Sequence, residues 1–408
     1  MPQIIYKIGL FLLVFFLSIY SIELSFITSV FVLAISFTGK ANINIIFLAI
    51  LLTIVAVIGL FSSYGLKYPF FDILKDIIYF VRPVTVLLAS YFVVKRIKSQ
   101  NYVFNVVILM AFIFAVKHLF NIVISLGKID SYIFLRSLGG KQNHIETVAL
   151  IFLFFTPFNT LFVKHRKLVT YIIVLSFVLY LSRTMFIILF VFFLAYKGYL
   201  FLNKKFFKGI FVILITSLAL GIIISNIDTN RDSQGIKAFI YKTQNSFKEL
   251  FAPIDTSEIV NDRRLLWEHW RAYEANKAIE QISESGAKAW LIGMGFGSQI
   301  DLETYAYLDG KTFTEVPTIH NGFVNVLFKT GILGLIFYLL FIFYSFFKYQ
   351  KPTLDYYNNL FNKLIVATSL YMLFNSFVIT GFYRPGEFSI FLLGILIASK
   401  QKFQSIIS

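Results

Sequence analysis

Repeated apolar runs of about 20 residues constrain this chain more than any other feature. Runs such as 43–62 and 322–347 hold at most one charged side chain each, and a helix of that length crosses a hydrocarbon core roughly 30 Å thick. Hydrophobic residues make up 58% of the chain and charged residues only 14%, so a soluble domain could not cover this apolar surface. Because the runs are continuous rather than alternating, helices are favoured over barrel strands. The sequence predicts an all-α polytopic membrane protein.

Twelve candidate spans can be counted, and one long interruption separates the ninth from the tenth. The predicted domains are therefore transmembrane helices 1–9 in 1–226, a loop domain in 227–318, and transmembrane helices 10–12 in 319–408. The spans are about 4–20, 22–37, 43–62, 71–94, 103–126, 145–163, 168–181, 183–201, 207–226, 322–347, 361–380 and 385–399.

Basic residues in the short loops indicate the orientation, because Lys and Arg are enriched on the cytoplasmic side. With the N-terminus in the cytoplasm, every basic cluster falls inside, and both termini are cytoplasmic. These clusters contain Lys95, Arg96, Lys98, Lys164, Arg166, Lys167, Lys197, Lys204, Lys205, Lys208, Lys348, Lys351, Lys400 and Lys402.

The long loop then lies outside, and it is acidic. It holds 14 of the 21 acidic residues but only 10 of the 37 basic ones. The net charge of +16 is therefore a signal of topology and of contact with anionic lipid in the bilayer, and it argues against a nucleic-acid partner.

Two stretches of this loop are predicted to be amphipathic helices, 236–251 and 263–282, the second with Asp262 as its N-cap. We expect both to lie along the membrane surface. The glycine run 293–297, GMGFG, could cradle a phosphate. No strand–turn–helix unit surrounds it, so we favour a tight turn that lets the backbone approach another element.

Polar residues gather at the outer ends of the spans. A lone arginine there usually reaches the lipid headgroups, and a lone histidine is more often an ordinary interfacial residue than a catalyst. Their coincidence on one face favours chemistry, because imidazole can accept a proton near neutral pH and guanidinium binds phosphate bidentately. The residues are Arg136, Asn143, His144, Arg183, Arg263, Arg264, His320, Asn321, Arg384 and Glu387.

Ligands for a metal ion are not evident in the sequence. The chain has no cysteine, no Asp-x-Asp and no His-x-x-x-His, so neither a zinc nor a magnesium site is expected. We predict no metal and no cofactor.

Four motifs, in this order, resemble the bacterial O-antigen polymerase and O-antigen ligase superfamily. The resemblance covers roughly 140–350, together with the twelve-helix layout and the single large outer loop. The motifs are GGKQNH at 139–144, LSRT at 181–184, NDRRLLW at 261–267 followed by LIGMGFG at 291–297, and HNGFVNVLFKTGILGLIFYLLF at 320–341.

This resemblance implies a GT-C-like, metal-independent, inverting glycosyltransferase of the bacterial inner membrane, with its active site facing the periplasm. By motif, His320 matches the general base. Arg183 and either Arg263 or Arg264 match the arginines that hold undecaprenyl pyrophosphate. The doubled arginine leaves that register open. We expect support from the outer face at Asn321, Asn143, Arg136 and Arg384.

The implied partners are an undecaprenyl-pyrophosphate-linked oligosaccharide and a chain-length-determining co-polymerase. The acceptor is another lipid-linked repeat unit in a polymerase and the lipid A core in a ligase. The motifs do not separate the two, and we favour the polymerase because that branch is the more numerous. Sugar, linkage, chain length and oligomeric state are not predicted.

Two other classes compete with an enzyme. A polysaccharide flippase also uses about twelve helices, but transporters show internal repeats, and none is evident here. Lys75, Asp76 and Arg82 in the fourth span could pair with one another or line a lipid path. The remaining alternative is a membrane scaffold, in which His320 could be replaced without consequence.

Overall fold

The computed structural model describes residues 2–129, 131–158, 163–229, 263–308 and 311–407, with four single positions at 237, 240, 241 and 244. Most of the predicted first loop helix, 236–251, and the predicted N-cap Asp262 lie outside the described residues.

Helices dominate the described chain, and one falls at each of the twelve predicted spans. Within the ranges 163–229, 263–308 and 311–407, three further helices lie between the ninth and tenth spans, and one short helix lies before the sixth. The helices are α1 Gln3–Ser18, α2 Ile22–Ser36, α3 Ile43–Ser62, α4 Phe70–Arg96, α5 Gln100–Ser125, α6 Tyr132–Ser137, α7 Asn143–Phe155, α8 Arg166–Leu179, α9 Arg183–Tyr196, α10 Lys204–Ser225, α11 Arg263–Glu268, α12 Trp270–Glu284, α13 Ala287–Ile292, α14 Gly322–Lys348, α15 Tyr356–Val378 and α16 Ser389–Ile407.

Five of these helices, α3, α4, α5, α14 and α15, are long and apolar enough to cross a membrane. Four shorter helices, α1, α2, α7 and α9, are also apolar. The molecule is thus a helical membrane protein by length and composition.

A two-stranded antiparallel sheet is an exception in this mostly helical fold, which otherwise agrees with the all-α expectation. Strand β1, Ile300–Leu308, pairs with β2, Lys311–Val316, with Ile300 opposite Val316 and a register shift between Asp301 and Ala306. The hairpin buries Ile300, Leu302 and Ala306 against α12, because period-two alternation gives a strand one apolar face. The predicted helix 263–282 is also divided, into α11 and α12.

A kink divides α14 into two parts. Gly331 has φ +64° and ψ −170°, a conformation that only glycine adopts readily. This glycine therefore interrupts the helix, and 322–330 forms a short helix that precedes the long one.

Packing places α4 near the middle of the bundle, against α2, α3 and α16. The bundle has one continuous apolar core. A second, smaller core joins α11, α12, α13 and the hairpin to the first part of α14. We call 263–319 the outer segment, and the end of the bundle on which it packs the loop end.

Basic side chains gather at the opposite end of the bundle, which we call the basic end. Arg96 donates to the carbonyls of Ser36 and Phe37, and Lys402 donates to the carbonyl of Ile97. Lys363 reaches the Tyr196 carbonyl and Lys400 reaches the Asn362 side chain. Arg96, Lys400 and Lys402, which belong to two of the predicted basic clusters, therefore lie at the same end.

Candidate functional site

The pair formed by His320 and Glu274 is the most distinctive polar contact at the loop end. Nδ1 of His320 lies 2.9 Å from Oε2 of Glu274, and the His320 backbone N–H donates to the same oxygen at 3.1 Å. The carboxylate is buried, with 2% of the side chain exposed, whereas 53% of the imidazole is exposed. Because a carboxylate only accepts, the contact assigns the hydrogen to Nδ1 and leaves Nε2 as the basic nitrogen.

Three elements hold this imidazole in place. Glu274 lies on the buried face of α12, beside Tyr273 in the smaller core. Asn321 follows His320 as the N-cap of α14, and its Oδ1 accepts from the N–H groups of Phe323 and Val324. The preceding residue, Ile319, accepts a hydrogen bond from the Thr380 hydroxyl. His320 is thus fixed between a buried carboxylate and the start of a helix.

The turn that follows α15 bonds to both sides of His320. The Ile379 carbonyl accepts from the Gly322 N–H at 2.9 Å, and Thr380 contacts Ile319. A single 3₁₀ turn, Gly381–Tyr383, leads from there to Arg384. The turn that bonds to the residues flanking His320 and Asn321 therefore also leads to Arg384.

The fixed position of this turn comes from Arg82, which lies buried in α4. Its guanidinium donates to the carbonyls of Phe382, Tyr383 and Arg384 at 2.8–3.0 Å. Arg82 therefore pairs neither with Lys75 nor with Asp76, and the expectation that these three residues pair with one another is wrong. Lys75 is exposed.

Asp76 pairs instead with Lys329 on α14, across 2.6 Å, with only 5% and 1% of the side chains exposed. The carboxylate also accepts from the Gly297 N–H at 2.7 Å, and the amine donates to the Ser298 carbonyl. The pair therefore ties α4 and the kinked helix to the glycine run.

The glycine run itself is a tight turn, as predicted. Met294 and Gly295 donate to the carbonyls of Phe328 and Lys329, just before the kink. Phe296 donates to the Gly59 carbonyl on α3 and packs its ring against that glycine. The backbone amides of 294–297 are thus used against protein groups, which leaves no cradle for a phosphate there.

The other predicted residues lie at or near the same end. Arg183 begins α9 half-buried, and α9 runs antiparallel to α15, with Tyr196 near Lys363 and Phe192 beside Tyr371. Its N-terminal end therefore lies level with the end of α15. Arg263 and Arg264 begin α11, and their side chains lie outside the described residues.

Residues 136–144 also reach the loop end. Asn143 is buried at the start of α7, where its carbonyl accepts from Thr147. His144 is buried too, with its Nδ1 3.0 Å from the Tyr371 hydroxyl, so it is unavailable to a substrate. Arg136 is exposed, and it lies near enough to His144 for the two to interact electrostatically, as does Arg384.

A buried lysine that pairs with two exposed carboxylates adjoins the site. Lys277, one turn after Glu274 on α12, bonds to Glu280 and Glu303 at 2.8 and 2.7 Å. Burial disfavours the charged amine, but the hydrogen bonds to the two carboxylates outweigh it and raise the pKa of Lys277. The amine therefore stays charged and secures α12 to the hairpin.

Sequence reasoning missed Glu274, Lys329 and the Asp76–Lys329 pairing. A signal existed for Glu274, since it lies four residues after Trp270 on the apolar face of an amphipathic helix, where an unpaired carboxylate is costly. Among the described residues, no group of three or more His, Asp or Glu side chains could hold a metal ion.

No protein-family model matches this chain, and no curated protein matches it either. The chemical capacity of the site therefore rests on its own geometry. That geometry is a half-exposed imidazole oriented by a buried carboxylate, beside a fixed turn that ends in an arginine.

Proposed function

We propose that this chain is a membrane glycosyltransferase of the O-antigen polymerase type. It transfers a glycan from undecaprenyl pyrophosphate onto a sugar hydroxyl of another lipid-linked repeat unit. The observation that carries the proposal is the Glu274–His320 pair, in which a buried carboxylate holds a half-exposed imidazole at the loop end. The order of motifs and the helical membrane architecture agree with it.

His320 acts as the general base in this reaction. Its Nε2 accepts the proton of the acceptor hydroxyl while that oxygen forms a bond to the anomeric carbon of the donor. The bond from that carbon to the pyrophosphate oxygen breaks, and undecaprenyl pyrophosphate leaves with the electron pair. A single displacement inverts the anomeric configuration.

Glu274 has a positioning role. It fixes the tautomer of His320 through Nδ1 and stabilises the imidazolium that forms when Nε2 takes the proton, as the buried carboxylate does in Ser-His-Asp triads. The backbone hydrogen bond of His320 to the same carboxylate fixes the main chain as well as the ring.

The leaving group is an anion, so its binding needs cations. Arg183 at the start of α9 and one of Arg263 and Arg264 at the start of α11 are proposed to hold the pyrophosphate. The N-terminus of α9 itself also favours negative charge.

The membrane orientation follows from the charge distribution. The basic end is proposed to face the cytoplasm, with both termini, and the loop end to face the periplasm of a bacterial inner membrane. That arrangement is proposed to put His320 on the side where lipid-linked repeat units are joined. Twelve spans in a GT-C-like arrangement and a partner co-polymerase belong to the same proposal.

Product analysis of the purified protein tests the proposal. A lipid-linked repeat unit with a labelled sugar is incubated with the protein in lipid nanodiscs, with and without a metal chelator. We expect a ladder of polymer on undecaprenyl pyrophosphate, equal in both cases. If no product forms from the repeat unit, either alone or with lipid A core added as an acceptor, the proposed glycosyl transfer is contradicted. Transfer only to lipid A core would instead assign the ligase reaction.

A further inference from the structure

A second cluster of cations lies at the loop end, beside the 379–384 turn. It consists of Tyr20, Lys141 and Arg384, which we call the tyrosine–cation cluster. The Lys141 amine lies 4.1 Å from the centroid of the Tyr20 ring, and the Arg384 guanidinium lies 5.6 Å from it. Nε of Arg384 also donates to the Tyr20 hydroxyl at 2.8 Å.

Neighbouring residues fix the positions of Tyr20 and Arg384 in this cluster. The Arg82 guanidinium donates to the carbonyls of residues 382–384 and so fixes the backbone of Arg384. Tyr20 adopts φ +68°, a conformation that is rare outside glycine, and Gly386 with φ +70° allows the ring to approach closely. A non-glycine residue keeps such a conformation only where its surroundings impose it, often at ligand sites.

The cations of the cluster have no direct carboxylate partner in the part of the chain that the structure describes. Neither Lys141 nor Arg384 forms an ion pair there. The carboxylates closest along the chain bond elsewhere, Glu23 to the Ser21 hydroxyl and Glu387 to Asn375 and Ser389. Two cations that share one ring without a counter-charge favour an anion that contacts both.

The location relates the cluster to His320. Arg384 ends the turn whose beginning bonds to Ile319 and Gly322, the residues on either side of the His320–Asn321 pair. The arginines proposed for the donor pyrophosphate lie on other elements, α9 and α11. The cluster and the arginines proposed for the donor therefore belong to different elements of the chain.

We infer that the tyrosine–cation cluster binds the pyrophosphate of the acceptor, the second lipid-linked unit that a polymerase must hold. This inference rests on the proposed function and assigns a substrate class to a site beside it. Lys141 and Arg384 contact the phosphate oxygens, and Tyr20 holds both cations in place. A ligase, whose acceptor is lipid A core, would not require a second undecaprenyl pyrophosphate site.

The test compares two acceptors with one labelled lipid-linked donor. The first acceptor is the repeat unit on undecaprenyl pyrophosphate, and the second is the same oligosaccharide with a free reducing end. The variants are Lys141→Gln and Arg384→Gln, and the matched control is Lys128→Gln, which removes an exposed lysine at the same end. Full-length protein is used in nanodiscs of phosphatidylcholine and in nanodiscs that contain phosphatidylglycerol.

For the lipid-linked acceptor we expect KM to rise about 10-fold or more in both variants, since each loses a charge-assisted contact. The free oligosaccharide is used equally well by all proteins, and Lys128→Gln matches the wild type. Equal losses with both acceptors would overturn the inference. An effect that vanishes in phosphatidylcholine discs would assign the cluster to bulk anionic lipid and overturn it too.

A binding measurement separates this inference from the proposed function. Native mass spectrometry counts the undecaprenyl pyrophosphate molecules bound to each protein, whether or not transfer occurs. Wild type and Lys128→Gln are expected to bind two, and Lys141→Gln one. Two bound molecules with no transfer would refute the proposed function alone, and an unchanged count in Lys141→Gln would refute the inference alone. Because Lys141 is exposed, its replacement leaves the fold intact even where that of Arg384 does not.

Discussion

Two buried carboxylates pair with basic side chains beside the outer segment, and the two pairs differ in how far the basic side chain is exposed. In the Asp76–Lys329 pair both side chains are almost fully buried. In the Glu274–His320 pair the carboxylate is equally buried, but half of the imidazole is exposed. The Asp76–Lys329 pair also bonds to the backbone of Gly297 and Ser298, whereas the Glu274–His320 pair leaves Nε2 for another molecule.

Because of this difference, the Asp76–Lys329 pair serves to hold elements together, whereas the Glu274–His320 pair can act on another molecule. A buried pair contributes little net stability when intact, yet removal of one partner is costly because the other charge remains buried. A half-exposed histidine on a buried carboxylate has a fixed orientation and a free nitrogen. Replacing a residue of one pair while the other pair stays intact separates the effect on stability from the effect on the transfer rate.

The largest effect on stability is expected for Lys329→Met, which leaves Asp76 as an unpaired buried charge. We expect a loss of about 3–5 kcal/mol, measured as a fall in the melting temperature of the detergent-solubilised protein. The double variant Asp76→Leu with Lys329→Met should recover most of that loss. Wild-type stability in the single variant would show that the pair is not an anchor.

Gly331→Ala is expected to have the next largest effect. The added Cβ would overlap the backbone of Leu291 and Ile292, and the conformation itself costs about 1–3 kcal/mol outside glycine. A lower melting temperature should result, together with slower glycosyl transfer, because the kink places His320. Gly127→Ala is the control, since nothing lies within 4 Å of its Cβ position. Equal melting temperatures in the two variants would contradict the account.

Glu274→Gln is expected to lower the rate of transfer rather than the stability. The amide keeps the shape but loses the charge that stabilises the imidazolium, and such charge-assisted bonds are worth roughly 1.5–3 kcal/mol. Transfer should slow by about 10- to 100-fold with little change in melting temperature. The control is Glu280→Gln on the same helix, which bonds to Lys277 rather than to His320. An equal loss of rate in Glu280→Gln would contradict the positioning role of Glu274.

The smallest effect is expected for Glu303→Gln. Its carboxylate is 61% exposed where it meets Lys277, and exposed pairs contribute at most about 1 kcal/mol. The change in melting temperature should be small and should disappear in high salt. A fall in melting temperature as large as that of Lys329→Met would mean that the exposure of an ion pair does not determine its contribution to stability.

Local patterns predicted much of the fold. Every predicted span coincides with a helix, because a long apolar run leaves the backbone few alternatives. The break near Gly331 and the tight turn at 293–297 were also predictable from glycine alone. The hairpin was missed although Asp309-Gly310 between alternating stretches is a typical hairpin signal.

The candidate site was only partly predictable. His320 and Asn321 stood out because polar groups at the head of an apolar segment are unusual. The partner Glu274 lies 46 residues away and Asp76 lies 253 residues from Lys329. Pairings of this kind depend on tertiary packing, and no periodicity within one segment encodes them. The same limit applies to Lys141, which meets Tyr20 from a different helix pair.

The rate of glycosyl transfer by His320→Ala tests the central claim most directly. The purified variant and the wild type receive the same labelled lipid-linked repeat unit, after equal membrane insertion and equal melting temperatures have been established. Loss of a general base should slow transfer by about 10²- to 10⁴-fold while the fold is unchanged. A variant that inserts normally and polymerises at the wild-type rate would contradict the assignment of His320 as the base.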